Sequence, residues 1–456
     1  MTLTRLIGGF DKAIFVSLCA LIYFLPISIA LVETFSAFVV FFYLLKRGAL
    51  FYDQIQNGSI PLGSVSLLRR IFLFFQSFKP AENFLNRPIA IFLFFTFMSV
   101  IFSQIPLLSL RGYVGKTLEF VFLYFSFLEC MNSKRRIKIF LTVYFISFAL
   151  ICINGIFQYF AGWEFIHGHL GEGGRIFSSL RQSNDFGAYL IIFIPVLFFL
   201  SVFSGGKRTG MPEKPLVSIS LIARVAMSLL FIVSLACLGL TFSRGAWLAF
   251  VLSLFLAGCK KLKFFIPCCI LIVTFLGTAT PNLKERGDGM SQYINRFMKA
   301  ANQDDRKAVL WQFIDYDNNR MVYWRGTKKI IKDYPFFGTG LNTYSQIVGR
   351  YKDTWGGYAH NCYLQMTVET GLFGIMSFLW VLFVFFRNSL KGLRLIEDQV
   401  HWVLLFGFLT GLLAFLIHSF VDTNFYSTQL ASLMWIIMGV IVALQKINED
   451  KLRHSN

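Results

Sequence analysis

"FGAYLIIFIPVLFFLSVFS", residues 186–204, contains no charged side chain and is long enough to cross the hydrocarbon core of a bilayer as a helix. Apolar runs of this kind recur along the whole chain. The runs are continuous rather than alternating, which disfavours a membrane β-barrel. A helix satisfies its own backbone hydrogen bonds inside a bilayer, so these runs predict an all-α polytopic membrane protein.

The composition agrees with a membrane protein. Of 456 residues, 56% are hydrophobic and only 15% are charged, whereas a soluble domain carries about 25% charge. The net charge of +19 has two readings: the bias of cytoplasmic loops towards basic residues, or an anionic ligand. No basic soluble domain is present, so nucleic acid is not a predicted partner. The eight cysteines are scattered without metal-site spacing and are predicted to be small core residues.

The apolar runs also predict a topology. They indicate about twelve spans, at roughly 13–26, 29–45, 89–106, 113–130, 137–159, 186–204, 219–241, 245–259, 262–279, 362–386, 402–420 and 428–445. Basic residues fall in alternate loops; examples are Lys46 and Arg47, Arg135 and Arg136, and Lys260 and Lys261. Basic loops face the cytoplasm, so we predict that both termini are cytoplasmic.

The chain divides into three predicted parts. Residues 1–279 hold spans one to nine, residues 280–361 form a large periplasmic loop with amphipathic helices, and residues 362–456 hold the last three spans and a cytoplasmic tail. A loop of this length is too long for a simple connector.

One helix is predicted within the large loop. The stretch "NNRMVYWRGTKKIIKDYP", residues 318–335, predicts an amphipathic helix that ends before Pro335. Arg320 and Trp324 are four residues apart and therefore share one face of it. Such a basic helix either contributes to a site or lies on anionic headgroups.

Four segments bring cationic or titratable side chains to the predicted outer face. Their residues are Arg175, Arg181, Arg244, Arg320 and His360. An arginine at the end of a span is costly unless it is paired, binds a ligand, or reaches the headgroups, and the last is the alternative for Arg244.

The chemistry of this set indicates a diphosphate site. Arginine forks match two phosphate oxygens at once, and a histidine with a pKa near neutrality suits proton transfer. A Mg²⁺-dependent glycosyltransferase is expected to carry paired acidic residues on this face, but "QDD", residues 303–305, is isolated. We therefore predict neither a metal site nor a cofactor.

Polar residues near the last spans are further candidates. Asn361 is a natural N-cap for the span that follows His360, and a helix N-terminus favours an anion. Glu369 lies inside that span, where a carboxylate is either functional or a buried hydrogen-bond partner. Asp422 follows His418 by four residues, and this pair either orients the site or packs as a structural polar pair.

Several of these stretches resemble the O-antigen ligase and polymerase superfamily of bacterial envelope enzymes. The matching pieces are "TFSRGAWLAF" (241–250), Arg320 with Trp324, "YPFFGTGLNTY" (334–344) and "HNCYLQMTVETGLFG" (360–374). The resemblance covers the chain from about residue 170 to its C-terminus, and residues 1–130 carry no matching motif.

The resemblance implies a specific activity. Such enzymes take a glycan from undecaprenyl diphosphate on the periplasmic side of the bacterial inner membrane, and ligases pass it to the lipid A core, without metal and with inversion. It implies that Arg244 and Arg320 stabilise the diphosphate, and that His360 deprotonates or positions the acceptor hydroxyl. The predicted substrate-binding residues are Arg175, Arg181, Asn361, Trp324, Glu369 and Asp422.

Three alternatives remain beside the ligase. A polymerase joins undecaprenyl-linked repeat units, and a protein O-oligosaccharyltransferase uses a protein acceptor; acceptor choice depends on pocket shape, which motifs do not reveal. A transporter of lipid-linked sugar predicts internal repeats and helices broken at mid-membrane depth. The sequence halves show no repeat and the polar groups gather at one face, so an enzyme is favoured.

Overall fold

The protein is helical throughout the part of the chain that its computed structural model describes. That part comprises residues 3–57, 80–171, 174–203, 220–257, 299, 303, 305, 320–351, 357–396 and 398–455. These residues include no β-strand, only an isolated bridge between Trp163 and Leu170. The predicted all-α class is confirmed.

Fourteen α-helices follow one another in the described residues. They are α1 (Leu3–Phe24), α2 (Ile29–Gln56), α3 (Asn86–Ile101), α4 (Pro106–Gly112), α5 (Glu119–Cys130), α6 (Lys134–Ala161), α7 (Ser183–Phe203), α8 (Leu221–Leu240), α9 (Arg244–Leu256), α10 (Arg320–Asp333), α11 (Tyr344–Ile347), α12 (Cys362–Gly392), α13 (Gln399–His418) and α14 (Thr428–Ser455). A π-helical turn, Tyr113–Leu118, joins α4 to α5.

Eight of these helices are long and apolar enough to cross a membrane: α1, α2, α6, α7, α8, α12, α13 and α14. Two shorter apolar helices, α3 and α9, accompany them. The chain is therefore a multi-pass membrane protein. The run predicted at 262–279 lies outside the described residues, as does most of 280–319.

Helix α7, which contains the opening stretch, lies at the centre of the bundle. Its residues from Phe186 to Leu200 are buried almost without exception, and α13 packs along it. Gly407 permits the close approach, because a Cβ there would lie 2.7 Å from Cα of Val196. Small residues at a helix contact let two spans approach closely without a polar partner.

One end of the bundle carries a network of ion pairs. Lys46 Nζ lies 2.8 Å from both Asp11 Oδ1 and Glu129 Oε1. Arg136 pairs with Asp11 at 2.6 Å, and Arg47 pairs with Glu129. Three of the basic residues that were predicted on one side of the membrane, Lys46, Arg47 and Arg136, therefore lie together near the start of α6.

The helix predicted within residues 318–335 is confirmed as α10, which ends before Pro335. Its apolar side chain Ile330 is buried with Tyr344 of α11 and Val368 of α12 in a small separate core. The basic side chains on its other face, Arg325, Lys328, Lys329 and Lys332, are exposed.

The described cysteines behave as predicted. Cys130, Cys152, Cys237 and Cys362 are buried, Cys19 is half-buried, and all five are free thiols. Cys259, Cys268 and Cys269 lie outside the described residues.

Candidate active site

Arg175 links the loop before α7 to the turn before α9. Its Nε donates a hydrogen bond to the carbonyl oxygen of Thr241 at 2.9 Å, and its Nη2 donates to Asn184 Oδ1 at 3.0 Å. The backbone N–H of Ile176 donates to the carbonyl oxygen of Leu240 at 3.2 Å. The two arginine-bearing segments, those of Arg175 and Arg244, are therefore neighbours.

Arg244 is the first residue of α9, and its side chain is exposed. Phe242, two residues earlier, has a φ of +50°, which is uncommon for a bulky side chain. The indole N–H of Trp247 donates to the carbonyl oxygen of Leu238 at 2.7 Å and closes the turn between α8 and α9. This turn presents Arg244 at a helix N-terminus.

His360 lies in a turn whose neighbours fix its backbone. Its φ is +47°, a conformation that histidine adopts more readily than most residues. The N–H of Ala359 donates to Gln365 Oε1 at 3.1 Å, and the carbonyl of Ala359 accepts from Trp324 Nε1 at 2.9 Å. The half-buried imidazole lies edge-on to the ring of Tyr323, with centroids 6.4 Å apart.

Asn361 caps helix α12, as predicted. Its Oδ1 accepts a hydrogen bond from the backbone N–H of Leu364 at 2.9 Å. The cap satisfies one donor of the first helical turn and fixes the residue at which the helix begins. The position of His360, directly before the cap, is fixed with it.

The turn after α13 contacts the N-termini of both α9 and α12. The backbone N–H of Cys362 donates to the carbonyl oxygen of Ser419 at 2.9 Å. The thiol of Cys362 donates to the carbonyl oxygen of Asp422 at 3.1 Å. A Cβ on Gly245 of α9 would lie 3.3 Å from His418 Nε2. A helix N-terminus favours negative charge through its dipole, so the surroundings of this turn suit an anion.

Two carboxylates lie beside these N-termini. Asp185, in the first turn of α7, is close enough to Asp422 and to Arg181 to interact electrostatically with both. Asp422 Oδ1 accepts from the N–H of Thr423 at 2.7 Å, while its buried Oδ2 has no hydrogen-bond partner among the described residues. Asp185 was not among the site residues predicted from the sequence. The available signal was an acidic residue in the first turn of an apolar span, two positions before Gly187.

Both carboxylate oxygens of Glu369 accept hydrogen bonds from backbone N–H groups. Its Oε2 accepts from the N–H of Asn342 at 3.0 Å, and its Oε1 accepts from that of Tyr344 at 3.2 Å. Burial raises the pKa of Tyr426 well above its usual range, and the neighbouring charge of Glu369 raises it further. These contacts match the structural alternative for Glu369, and a role in substrate binding stays a prediction.

Helix α12 is broken at Gly371, which has a φ of +69°. The stretch 335–340 takes up the freed backbone groups: Thr339 N–H donates to the carbonyl oxygen of Val368, and Leu372 N–H donates to the carbonyl oxygen of Pro335, both at 2.8 Å. A break within a span is tolerated where protein satisfies its backbone. A broken helix was also expected of a transporter, but here the turn from the large loop fills the break.

Three other predicted site residues, Arg181, Trp324 and Arg320, differ in their exposure and in how far the structure describes them. Arg181 is exposed, and Trp324 is half-buried with its indole bound to Ala359. Arg320 is the first residue of α10, and its side chain lies outside the described part of the structure. Across the described residues, the side chains arranged to hold a metal ion are those of Glu164, His167 and His169, which belong to a separate loop.

Residues 229–379 match the family model of the O-antigen ligases. The match confirms the predicted resemblance to the O-antigen ligase superfamily, and it indicates glycan transfer of the ligase or polymerase type. It covers about a third of the chain, from α8 into α12, and includes Arg244, Arg320 and His360. Arg175 and Asp422 lie outside it. No curated protein matches the chain at a significant level.

Proposed function

We propose that the chain transfers an O-antigen glycan from undecaprenyl diphosphate to the lipid A core oligosaccharide, with inversion and without a metal ion. The observation that carries this proposal is the contact of the α9 and α12 N-termini with one turn, residues 418–422. Arg244 begins the first of these helices, and His360 precedes the second. The family match supports glycan transfer over any other chemistry.

The positive groups bind and stabilise the leaving diphosphate. Attack at the anomeric carbon expels the diphosphate, so negative charge grows on its oxygens as the bond breaks. Guanidinium groups that bind those oxygens lower the barrier, because they interact more strongly with the transition state than with the bound donor. We assign this role to Arg244 and Arg320, with Arg175 fixing the turn that carries Arg244.

His360 handles the proton of the acceptor. Its imidazole takes the proton from the attacking sugar hydroxyl, and the oxygen forms the new glycosidic bond as the diphosphate departs on the opposite side. The contacts of Ala359 with Trp324 and Gln365 hold the imidazole in position for this step. Trp324 thus acts by positioning His360.

Asp185 offsets part of the positive charge of Arg181 in the absence of donor. Asp422 Oδ2 has no hydrogen-bond partner among the described residues, so we assign it to a ligand hydroxyl. Preformed charge arrangements of this kind reduce the reorganisation needed when the substrate binds.

We also propose the complete topology. The eight long helices, α3, α9 and the segment of α5 supply eleven crossings, and the apolar run at 262–279 supplies the twelfth. Both termini then lie in the cytoplasm, and residues 280–361 form the periplasmic loop. The parts 1–279, 280–361 and 362–456 follow from this arrangement. The ion-pair network at the start of α6 supports a cytoplasmic assignment for that end.

The phenotype of His360→Ala separates the ligase from the polymerase. The variant is expressed in a strain that lacks the native gene, and its lipopolysaccharide is compared with that of the wild type. A ligase defect removes polymer from the core while lipid-linked polymer accumulates. A polymerase defect leaves a core that carries a single repeat unit.

A matched variant controls for protein level and folding. His401 lies at the other end of α13, where its Nδ1 contacts Asn448 at 3.3 Å. His401→Ala is expected to give wild-type lipopolysaccharide. Unchanged lipopolysaccharide in His360→Ala at a normal protein level contradicts the role proposed for His360.

A further inference from the structure

The loop between α6 and Arg175 is closed on itself by backbone hydrogen bonds. The N–H of Glu164 donates to the carbonyl oxygen of His169, and the N–H of Gly168 donates to that of Glu164, both at 2.9 Å. The N–H of Gly171 donates to the carbonyl oxygen of Gly162 at 2.9 Å. These bonds give the loop, residues 162–171, a defined conformation, and Asn154 of α6 adds to it by accepting a hydrogen bond from the N–H of Phe165 at 2.8 Å.

Glu164 is the buried centre of that loop. Its carboxylate accepts hydrogen bonds from Asn154 Nδ2 at 3.0 Å and from the backbone N–H groups of Ile166 at 2.9 Å, His167 at 2.8 Å and His169 at 3.2 Å. These hydrogen bonds orient the carboxylate from its buried side.

Two imidazoles converge on the same carboxylate oxygen. Nδ1 of His167 and Nδ1 of His169 each lie 3.5 Å from Glu164 Oε1. The two rings stack with centroids 5.4 Å apart and an angle of 26° between their planes. The His167 side chain is 32% exposed and that of His169 is 65% exposed, so solvent reaches the site.

The spacing fits a tetrahedral ion better than a direct hydrogen bond. An N–H···O hydrogen bond spans about 2.7–3.2 Å, shorter than the separation of either imidazole from the carboxylate. Zinc binds nitrogen at about 2.0–2.1 Å and carboxylate oxygen at about 2.0–2.2 Å, which sets tetrahedral ligand atoms about 3.3–3.5 Å apart. All three ligand atoms lie within 4.8 Å of one another, so small side-chain rotations complete the arrangement.

We propose that Glu164, His167 and His169 bind a divalent transition-metal ion of the zinc class, with water in the open fourth position. The sequence did not predict this site, because only the folded loop brings the two imidazoles close to the carboxylate of Glu164. The hydrogen bonds from Asn154 and the backbone orient Glu164 as outer-shell groups do in metal sites.

The ion fixes the start of the segment that leads to Arg175. A Cβ on Gly171 would lie 3.6 Å from the carbonyl oxygens of both Gly162 and Arg175, so the closed loop packs directly against the backbone of Arg175. The proposed metal site therefore lies directly beside the cationic site. This inference is independent of the reaction that the site performs, because its test measures metal binding.

The test measures zinc bound to the full-length protein. The chain is purified in detergent with a tag that lacks histidines, stripped with a chelator, and incubated with Zn²⁺ before desalting and elemental mass spectrometry. We expect about one zinc ion per chain in the wild type, as a three-ligand site with bound water holds. His167→Ala and His169→Ala are expected to weaken zinc binding at least 10-fold, whereas His401→Ala retains it.

A second measurement guards against misfolding of a variant. Zinc raises the thermal unfolding temperature of the wild type, because a ligand that binds only the folded chain stabilises it. The shift should vanish in His167→Ala and His169→Ala, whose unfolding temperatures without zinc stay close to that of the metal-free wild type. If the wild type binds no zinc, the proposal is wrong. It is also wrong if both histidine variants bind zinc with the wild-type affinity and show the wild-type thermal shift.

Discussion

Arg175 Nε lies 2.9 Å from the carbonyl oxygen of Thr241, and this hydrogen bond joins residues 66 positions apart in the chain. The same guanidinium binds Asn184 Oδ1, so one side chain ties the start of α7 to the turn before α9. Arg244 begins α9, and its position therefore depends on Arg175. This dependence leads to the first prediction.

Replacing Arg175 by lysine should lower transfer activity although the charge is kept. An ammonium group cannot bind the Thr241 carbonyl and Asn184 in the same fork geometry. Hydrogen bonds made by a charged group contribute about 1.5–3 kcal/mol, so loss of this positioning is expected to reduce the rate by about 10- to 100-fold. The measurement is the initial rate of glycan transfer by purified protein.

Arg394→Lys is the matched control for that variant. Arg394 is exposed and lies at the end of α12 far from its N-terminus, so its replacement should leave the rate unchanged. If Arg175→Lys retains the wild-type rate, the hydrogen bonds between Arg175 and the turn before Arg244 do not contribute to glycan transfer.

Two variants of Asn361 distinguish a role in capping α12 from a role in substrate binding. Asn361→Ala removes the hydrogen bond to Leu364 and is expected to lower stability by about 1 kcal/mol. Asn361→Asp keeps the cap and should restore both stability and activity if capping is the whole function. Thermal unfolding and transfer rate are measured on the same preparations. An aspartate variant that is stable but inactive indicates that the amide contacts the substrate.

Glu369→Gln should affect stability more than chemistry. The carboxylate accepts from two backbone donors, and an amide in its place leaves at least one buried donor without an acceptor. That costs about 1–3 kcal/mol and should appear as a lower unfolding temperature. The exposed Glu449 provides the control Glu449→Gln, which should unfold like the wild type. A large loss of rate at unchanged stability favours the substrate-binding role instead.

Features of the fold that depend on neighbouring residues were predictable from the sequence. The uncharged run at 186–204 predicted α7, because composition and length alone define a membrane span. The cap by Asn361 was predictable because its donor lies three residues away, and Pro335 correctly marked the end of α10.

Features that depend on distant segments were not predictable. The electrostatic interaction of Asp185 with Asp422 requires α7 and the turn after α13 to lie close together. The break at Gly371 is stable only because the turn that contains Thr339 supplies partners for the freed backbone. Neither pairing leaves a local pattern, so a single sequence shows the residues without showing that they interact.

The rate of glycan transfer by His360→Ala tests the central claim most directly. Purified protein is supplied with an undecaprenyl diphosphate-linked glycan and a lipid A core acceptor, and the released undecaprenyl diphosphate is quantified over time. General-base catalysis contributes about 10²- to 10⁴-fold, so we predict a loss of that size while donor binding persists and His401→Ala keeps the full rate. A His360→Ala protein that folds and transfers glycan at the wild-type rate would contradict the account.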